Sequence, residues 1–380
     1  MNFVSVRGKI LFIPCEEWSD GTIHRGSNMM AMLKQKYSIV GLERQRNFGD
    51  GSLPLRSLRM LWYWARILAY GWRRRRSIDL VFCENTHAAF GGILAKAVGR
   101  PCIWDIEAED ALYLKAWQKS RLFSAFVLAL HWVAKLTADL LLVACEEDRE
   151  AYVRRGYQRG ERTVTIALAL DFSQFPGVES NRKEELRHSL NLDSRRTVLI
   201  YTGQRTELPY REGAEWICKE LVPVLDALPQ NCQVLLTGRG EAIPGASARV
   251  TFTGFVPNIY DYIHASDICL APIWQEVGVP GKILEYMALG KPAVVSAHVR
   301  GLQHLTDGWD AMIAPTPEDF VRRVIYLVQN PERAMEMGVR ARETARRYHS
   351  YDAVAPGLWH AVERAMAGRH GRGLTGRSDR

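Results

Sequence analysis

The feature that most constrains the fold of this chain is an alternation of short apolar runs with longer helical stretches, present in both halves of the sequence. The predicted strands are Lys9–Pro14, Ser38–Leu42, Leu80–Cys83, Cys102–Ile106 and Leu140–Ala144 in the first half, and Thr197–Tyr201, Gln233–Leu236, Val250–Phe252, Ile268–Ala271 and Ala293–Ser296 in the second. Strands that alternate with helices form parallel sheets with helices on both faces. The sequence therefore predicts an α/β protein with two doubly wound parallel sheets, whose ligands bind beyond the carboxyl ends of the strands.

A polar stretch, Asp171–Arg196, separates the two halves and contains Pro176, Gly177 and many charged side chains. A chain of 380 residues is long enough for two domains, at roughly 100–200 residues each. We therefore predict an N-terminal domain over residues 1–175 and a C-terminal domain over residues 176–349. The basic residues 368–380 are expected to form a flexible tail.

The composition excludes several classes of protein. Hydrophobic residues make up 47% of the chain and charged residues 24%, which is unlike a disordered, collagenous or coiled-coil sequence. The seven cysteines form no CxxC pair, so we expect no zinc ribbon or redox motif, and free thiols fit a reducing cytosol. The first residues resemble a strand more than a signal peptide, and no run of eighteen apolar residues predicts a spanning helix.

The most informative segment is Gly278–Ser296, GVPGKILEYMALGKPAVVS. A Gly/Pro-rich turn leads into a helix that begins near Lys282, and Gly290 with Pro292 ends it before a buried strand. The free N–H groups of such a helix terminus bind anions, and Lys282 adds a positive charge suited to phosphate. Glu285, one turn further on, can accept hydroxyl donors from a sugar or ribose, or can merely favour the helix dipole.

This segment resembles the nucleotide-sugar segment of the family 4 (group 1) retaining glycosyltransferases, which have the GT-B fold. The surrounding order is similar as well: YTGQRTELPYREGAEW (Tyr201–Trp216), VLLTGRGE (Val234–Glu241) and the stretch Val250–Ile273 resemble successive parts of the family's C-terminal domain. The resemblance implies two Rossmann-like domains that face a cleft, and a final helix, about residues 350–367, that crosses back to the N-terminal domain. It also implies a nucleotide diphosphate sugar as co-substrate and no bound metal.

The resemblance implies roles for several charged residues. Glu285 matches the family glutamate that holds the nucleotide ribose, and Arg205 and Arg211 are placed to bind the donor diphosphate, or are surface arginines. Arginine suits phosphate because its planar fork makes paired hydrogen bonds. The family's first glutamate has no counterpart, since Val277 stands in its place. Either the neighbouring Glu276 still reaches the donor sugar, or that glutamate is lost.

The complete donor site that the resemblance implies also contains glycines and apolar residues, with Phe255 and Val256 near the nucleotide base. Its members are Gly203, Arg205, Arg211, Gly238, Phe255, Val256, Gly278, Val279, Lys282, Ile283 and Glu285. The candidate catalytic residues are Glu107, Arg205, Glu276 and Lys282.

The acceptor side is predicted in the N-terminal domain. Asp105, Glu107, Glu109 and Asp110 follow a buried strand, and Glu107 falls where the family often has a histidine facing the reacting sugar. Clustered carboxylates raise one another's pKa and so can serve in proton transfer. The alternative is a solvated acidic loop that caps the next helix. In the loop Asp20–Ser27, Arg25 or His24 could also meet a phosphate or hydroxyl.

Basic residues are concentrated at the two ends of the chain. Residues 1–80 contain fourteen Lys/Arg against six Asp/Glu, residues 367–380 contain four Arg against one Asp, and the net charge of the whole chain is +8. This distribution points to an anionic surface partner, or serves solubility alone.

The strongest candidate for that contact is Leu58–Arg76, LRMLWYWARILAYGWRRRR. On a helix, Arg59, Arg66 and Arg73 recur every seven residues among Trp and Tyr side chains. Trp, Tyr and Arg together favour the interface of an anionic bilayer. The alternative is a core helix with a charged outer edge. The sequence contains no recognised nucleic-acid-binding motif, so we expect a membrane surface and no nucleic acid.

Together these features predict a glycosyltransferase that moves a hexose-type sugar from a UDP- or GDP-linked donor to an acceptor with retention. The acceptor is expected to be a lipid-linked glycan in bacterial polysaccharide assembly, and the protein to be cytoplasmic and peripheral at the inner face of the cell membrane. A nucleotide-sugar epimerase or phosphorylase on the same fold, or a non-catalytic partner subunit, is the alternative.

Overall fold

A computed structural model describes residues 8–14, 24–41, 53–106, 120–156, 160–175, 180–276 and 278–370. These residues form two six-stranded sheets in which every strand pair is parallel. A hydrophobic core lies on each side of each sheet, so helices cover both faces. The predicted fold class, two doubly wound parallel sheets, is confirmed.

The first sheet has the strand order β2-β1-β3-β4-β5-β6. Its strands are β1 (Lys9–Ile13), β2 (Ser38–Gly41), β3 (Leu80–Glu84), β4 (Cys102–Asp105), β5 (Leu140–Val143) and β6 (Thr163–Thr165). The helices are α1 (Arg25–Lys34), α2 (Leu53–Arg73), α3 (Ala88–Ala97), α4 (Arg121–Thr137) and α5 (Glu146–Arg154). The central strands are apolar up to their last residue because both of their faces are buried, and β3 and β4 each end in a carboxylate, Glu84 and Asp105.

The second sheet has the order β12-β11-β10-β7-β8-β9. Its strands are β7 (Thr197–Thr202), β8 (Cys232–Thr237), β9 (Val250–Gly254), β10 (Ile268–Ala271), β11 (Ala293–Ser296) and β12 (Met312–Ala314). The helices are α6 (Ser180–Ser189), α7 (Leu208–Trp216), α8 (Val222–Asp226), α9 (Ile259–Ala265), α10 (Gly281–Ala288), α11 (Pro317–Gln329) and α12 (Pro331–His349), followed by α13 (Tyr351–His370). A turn of π-helix, Ile217–Leu221, joins α7 to α8.

All ten predicted strands are present, with ends that differ by one or two residues. The sequence did not predict β6 and β12. Both are three-residue strands at a sheet edge, where one neighbour supplies all the pairing. β6 is TVT and β12 is MIA, and both are shorter than the apolar runs of about four to eight residues that predict a buried strand.

The last helix, α13, packs against the first sheet although it follows the second. Leu358 lies in the same core as Phe12, and the indole of Trp359 donates a hydrogen bond to the carbonyl of Met32 at 3.0 Å. The helix runs to His370, which lies among the residues 368–380 of the predicted tail. The predicted domain boundary falls among residues 176–179 and the remaining tail at 371–380, all outside the described residues.

Candidate functional site

At the carboxyl edge of the second sheet, two glycine turns meet the first turn of α10. A Cβ on Gly203, after β7, would lie 2.9 Å from the ammonium of Lys282. A Cβ on Gly238, after β8, would overlap the carbonyl group of Gly203, and the φ of +102° at Gly238 also favours glycine. The structure thus brings Gly203, Gly238 and Lys282 together, three residues of the predicted donor site.

The ammonium of Lys282 is held in an aromatic pocket. It donates a hydrogen bond to the carbonyl of Thr202 and lies 4.4 Å from the ring centre of Tyr201 and 4.1 Å from that of Tyr210. The negative faces of the two rings attract the cation. Burial lowers the pKa of Lys282 to about 7, against the opposing influence of Glu285 and Glu207. The charge at this helix terminus therefore titrates near neutral pH.

Tyrosines organise this edge, and the sequence did not single them out. The hydroxyl of Tyr286 lies 2.8 Å from the Thr202 hydroxyl and accepts from its N–H at 3.1 Å, which secures the end of β7. The hydroxyl of Tyr201 donates to the carbonyl of Tyr210 at 3.0 Å, which ties β7 to α7. The signal that could have found them is the tyrosine beside each predicted motif residue in YTG, PYR and EYM.

Glu285 is buried one turn inside α10, with 5% of its surface exposed. The hydroxyl of Tyr260 on α9 donates to its carboxylate at 3.4 Å. Burial raises the pKa of Tyr260, so this hydroxyl keeps its proton. A buried carboxylate is costly unless hydrogen-bond donors surround it. Glu285 is therefore a buried hydrogen-bond acceptor next to the first turn of α10.

The two arginines predicted to bind the diphosphate occupy different places. Arg205 is buried, and its guanidinium donates to the carbonyl of Gly240 at 2.8 Å and to that of Leu236 at 3.3 Å. It thereby joins the loop after β7 to the loop after β8. Arg211 is half-exposed on α7, and its nearest acidic partner, Glu215, is 3.9 Å away. The structure therefore assigns Arg205 to a loop contact and Arg211 to the helix surface.

Near the end of β9, the ring of Phe255 is 58% exposed and Val256 is half-buried. The guanidinium of Arg239 lies 5.1 Å from the centre of the Phe255 ring. Arg239 directly follows Gly238, in the motif VLLTGRGE, and was not among the predicted residues. The structure therefore places a further cation, Arg239, beside Phe255 in the loop after β8.

The loop before α10 packs on the segment after β11. A Cβ on Gly301, whose φ is +77°, would overlap the side chain of Val279, while Gly278 lies in a bend and Ile283 is buried in the core beneath the helix. Val277 lies outside the described residues. These contacts hold the loop against the sheet edge.

Glu276 is held by Arg300 in this structure. Arg300 donates to the Glu276 carboxylate through Nε at 3.0 Å and Nη2 at 2.6 Å. Through Nη1 it also donates to Asp148, on α5 of the N-terminal half, at 2.7 Å. Next to it, the N–H of Gly301 donates to Glu147 at 3.2 Å. The loop before α10 and the N-terminal half therefore meet through Arg300, which the sequence analysis did not single out.

On the first sheet, Arg25 and Asp105 form a buried ion pair at the carboxyl edge. Arg25 binds both oxygens of Asp105 at 2.8–3.0 Å and donates to the carbonyl of Ile166 at 2.6 Å. Burial raises the pKa of Asp105, although the charge of Arg25 opposes that shift. Arg25 is thus committed to an internal contact and not to a substrate phosphate. Glu107, Glu109 and Asp110 lie outside the described residues.

The described residues contain no group of three His, Cys, Asp or Glu side chains arranged to hold a metal ion. The arrangement of Lys282, the two glycine turns and the α10 terminus suits an anion. The buried carboxylate of Glu285 beside it suits hydroxyl groups.

Two family profiles match the chain. Residues 196–330 match the group 1 glycosyl transferases, and residues 37–168 match the glycosyl transferase 4-like domain. The chain is 24% identical to EpsD of Bacillus subtilis, a protein assigned to the glycosyltransferases. The match extends over 289 residues, which are 71% of this chain and 72% of EpsD. It is 22% identical over 317 residues to N,N'-diacetylbacillosaminyl-diphospho-undecaprenol alpha-1,3-N-acetylgalactosaminyltransferase of Campylobacter jejuni, 79% of this chain and 80% of that enzyme.

The crystal structure of Anabaena HepE in complex with UDP-glucose has a TM-score of 0.68 to this chain at 15% identity, and covers 94% of this chain and 100% of HepE. At that identity the likeness concerns the fold alone. The two family profiles match both halves of the chain, and its two parallel sheets match the fold of HepE. The chain therefore belongs to the group 1 glycosyltransferases and has the GT-B fold.

Proposed function

We propose that the protein transfers a hexose-type sugar from a UDP- or GDP-linked donor to a lipid-linked glycan, with retention at the anomeric carbon, in bacterial polysaccharide assembly. The observation that carries the donor site is the convergence of Lys282, Gly203 and Gly238 on the start of α10, with Glu285 buried one turn deeper.

Lys282 and the α10 terminus are proposed to bind the donor diphosphate. The helix dipole favours negative charge at the α10 terminus, beside Lys282. Charge develops on the departing diphosphate, so cations already in place lower the barrier to transfer. Arg239, in the loop after β8, adds positive charge at this sheet edge, and Arg205 joins the loop after β7 to the loop after β8.

Glu285 is proposed to accept the hydroxyl groups of the ribose. Its carboxylate is buried beside Tyr260, so a bound ribose would supply donors where water has little access. Phe255 and Val256 would then offer an apolar wall to the base, since both follow β9 at the same edge.

The acceptor proposal rests on the N-terminal half and on one relative. The Campylobacter jejuni enzyme is named for an acceptor linked to diphospho-undecaprenol. We propose a lipid-linked acceptor for this chain as well, reached through the edge of the first sheet where Asp105 ends β4. The residues that follow, with Glu107 as the candidate that faces the acceptor, are the expected place of contact.

We also propose that the protein is cytoplasmic and rests on the inner face of the cell membrane through the Leu58–Arg76 region, which forms most of α2. Arg66 lies 4.6 Å from the Trp62 ring centre and Arg75 lies 4.9 Å from that of Trp72, so cations and aromatic rings share one surface. Among the described residues, no helix is both long and apolar enough to cross a bilayer.

The donor proposal is tested by thermal unfolding with UDP, GDP, ADP, CMP and dTDP. A ligand that binds only the folded state stabilises it by about 2.7 kcal/mol at a hundredfold excess over the dissociation constant. One diphosphate should stabilise the wild type and lose its effect in Lys282→Met and Glu285→Gln. Lys291→Met is the matched control, because Lys291 is also buried on carbonyl groups but lies beyond the other end of α10. No response to any nucleotide would contradict the donor site.

Product analysis separates the alternatives. A new glycan product that keeps the anomeric configuration supports the proposal, whereas an isomer of the donor or a sugar phosphate would indicate an epimerase or phosphorylase. The pairing of Glu276 with Arg300 favours a non-catalytic partner subunit as the second candidate. Such a subunit would bind the nucleotide weakly or not at all, and Glu285→Ala would leave its function unchanged.

A further inference from the structure

Exposed apolar side chains are concentrated on α4. Leu122 is 86% exposed, and Trp132 and Leu136 are each 59% exposed. Phe123, Phe126 and Leu128 are exposed on the same helix, while its fully buried residues are His131 and Ala134, both in the second half. Water-exposed apolar side chains this close together mark an interaction surface on a soluble protein.

The geometry explains why α4 is so exposed. Its C-terminal end is fixed at the amino end of β4, where the N–H of Asp139 donates to the carbonyl of Cys102 at 2.8 Å. A helix of 17 residues is about 26 Å long, whereas the four-residue strand β4 spans about 13 Å. Phe126 already lies beside Trp64, whose indole binds His87 at the carboxyl end of β3. Residues 121–125 therefore project beyond the carboxyl edge of the first sheet.

Three helices form one continuous face around this projection. Trp64 of α2 stacks on Phe90 of α3 at 4.0 Å and lies 6.3 Å from Phe126 of α4. Gly92 of α3 packs so closely on Thr137 of α4 that a Cβ would overlap its hydroxyl. The exposed apolar residues of the other two helices are Leu61, Trp62 and Trp72 on α2 and Ile93 on α3.

The three helices carry positive charge and no carboxylates of their own, although Lys96 pairs with Asp139, just after α4, at 3.1 Å. The sequences of α2, α3 and α4 contain no Asp or Glu. Their cations include Arg66 on α2, Lys96 on α3 and Arg121 and Lys135 on α4, and the run Arg73–Arg76 closes α2. An anionic surface is therefore the complement of this face, and apolar residues at its centre favour a surface with a hydrocarbon layer below it.

We propose that α2, α3 and α4 form a membrane-docking face, and that the first half of α4 inserts its apolar side chains between the headgroups of an anionic bilayer. This inference rests on the proposed lipid-linked acceptor and extends the contact beyond α2. Because the projecting end of α4 lies past the carboxyl edge of the first sheet, insertion places that edge at the lipid surface. A lipid-linked sugar then reaches the cleft without leaving the bilayer.

The alternative interpretation of α2, a core helix with a charged outer edge, describes only the side of α2 that faces the sheet. Tyr63, Trp64 and Ile67 pack on the sheet, whereas Leu61 and Trp62 point to solvent. The helix therefore serves both the core and the docking face.

The test is co-sedimentation of the full chain with phosphatidylcholine vesicles that contain or lack phosphatidylglycerol. Wild type should bind only the anionic vesicles. Leu122→Ser/Phe126→Ser should weaken that binding by at least about tenfold, because two apolar side chains no longer leave water. Met335→Ser/Val339→Ser removes two exposed apolar side chains from α12 and should leave vesicle binding unchanged. Thermal unfolding should show that both double variants stay folded.

A second measurement locates the insertion. Vesicles with brominated acyl chains should quench the tryptophan fluorescence added in Phe123→Trp, on the first half of α4, more than that added in Met335→Trp, an exposed position in the C-terminal half. Equal quenching in the two variants would overturn the insertion of α4.

Three further outcomes would overturn the inference. These are equal binding by both double variants, no vesicle binding by wild type, and a wild-type dimer that Leu122→Ser/Phe126→Ser dissociates, which would make this face an interface between two copies. Nucleotide-induced stabilisation is measured in the same variants without vesicles. If it persists while vesicle binding fails, the donor site stands and only the docking face is wrong.

Discussion

Arg300 in the C-terminal half donates a hydrogen bond to Asp148 in the N-terminal half at 2.7 Å, across 152 positions of sequence. Asp148 is 1% exposed and lies in the first turn of α5, where the helix dipole also stabilises a carboxylate. The same guanidinium binds Glu276 in the loop before α10. One side chain thus links the contact between the two halves to the conformation of the loop before α10.

Removing this side chain should destabilise the protein measurably. Arg300→Ala is expected to lower the free energy of unfolding by about 1–3 kcal/mol, because the buried carboxylate of Asp148 loses a charged hydrogen-bond donor. Chemical denaturation measures the change, and Arg300→Ala/Asp148→Asn should cost less than the two single variants added together. As a control, Arg322→Ala removes an exposed pair with Asp319 and should change stability by less than about 1 kcal/mol. Additive effects of Arg300 and Asp148 would contradict the pairing.

The buried pair of Arg25 and Asp105 yields a second prediction. Arg25→Met is expected to cost about 3–5 kcal/mol, because Asp105 is left charged and buried, and Arg25→Met/Asp105→Leu should recover much of that loss. Urea unfolding of the two variants gives the comparison. A double variant as unstable as Arg25→Met would show that the lost arginine contacts, such as that to Ile166, matter more than the orphaned charge.

The lowered pKa of Lys282 predicts how diphosphate binding depends on pH. The free protein loses the Lys282 proton above about pH 7, and a bound diphosphate raises this pKa by its charge. Affinity for UDP, or for whichever diphosphate binds, should therefore fall as pH rises above 7, by up to about tenfold per pH unit. The phosphate itself is ionised there, since its second pKa is about 6. Isothermal titration in buffers of different ionisation enthalpy measures the proton taken up.

Lys282→Met provides the control for this pH dependence. It should bind more weakly at pH 7 and show a flat profile above that pH. An identical slope in wild type and variant would assign the proton to another group.

The close approach at Gly238 predicts a steric effect. Gly238→Ala is expected to cost at least about 2 kcal/mol more than Gly245→Ala, measured by chemical denaturation. Both glycines have positive φ, so both substitutions carry backbone strain, but a Cβ at Gly245 meets no atom within 4 Å whereas one at Gly238 overlaps Gly203. Similar costs would show that strain alone makes glycine necessary at Gly238.

Local pattern in the sequence was enough to determine the two parallel sheets and the turn that leads into α10. Strands buried on both faces are apolar along most of their length. The central strands β3, β4 and β5 can therefore be predicted from their apolar runs. The turn before α10 can also be predicted from the sequence, because glycine and proline restrict or permit particular backbone angles whatever surrounds them. Lys282 and Glu285 follow at fixed helical spacing, so their place relative to the turn needed no further information.

Only the tertiary structure decided which charges meet. Arg205 turns to the carbonyls of another loop, Arg25 reaches Asp105 across 80 positions, and Arg300 joins the two halves. The exposure of Leu122 likewise depends on how far α4 overruns β4. Helical and strand periods specify the face on which a side chain lies, but these partners come from loops and ends of other elements. Their distances depend on how the sheets and helices pack, and sequence spacing does not encode that.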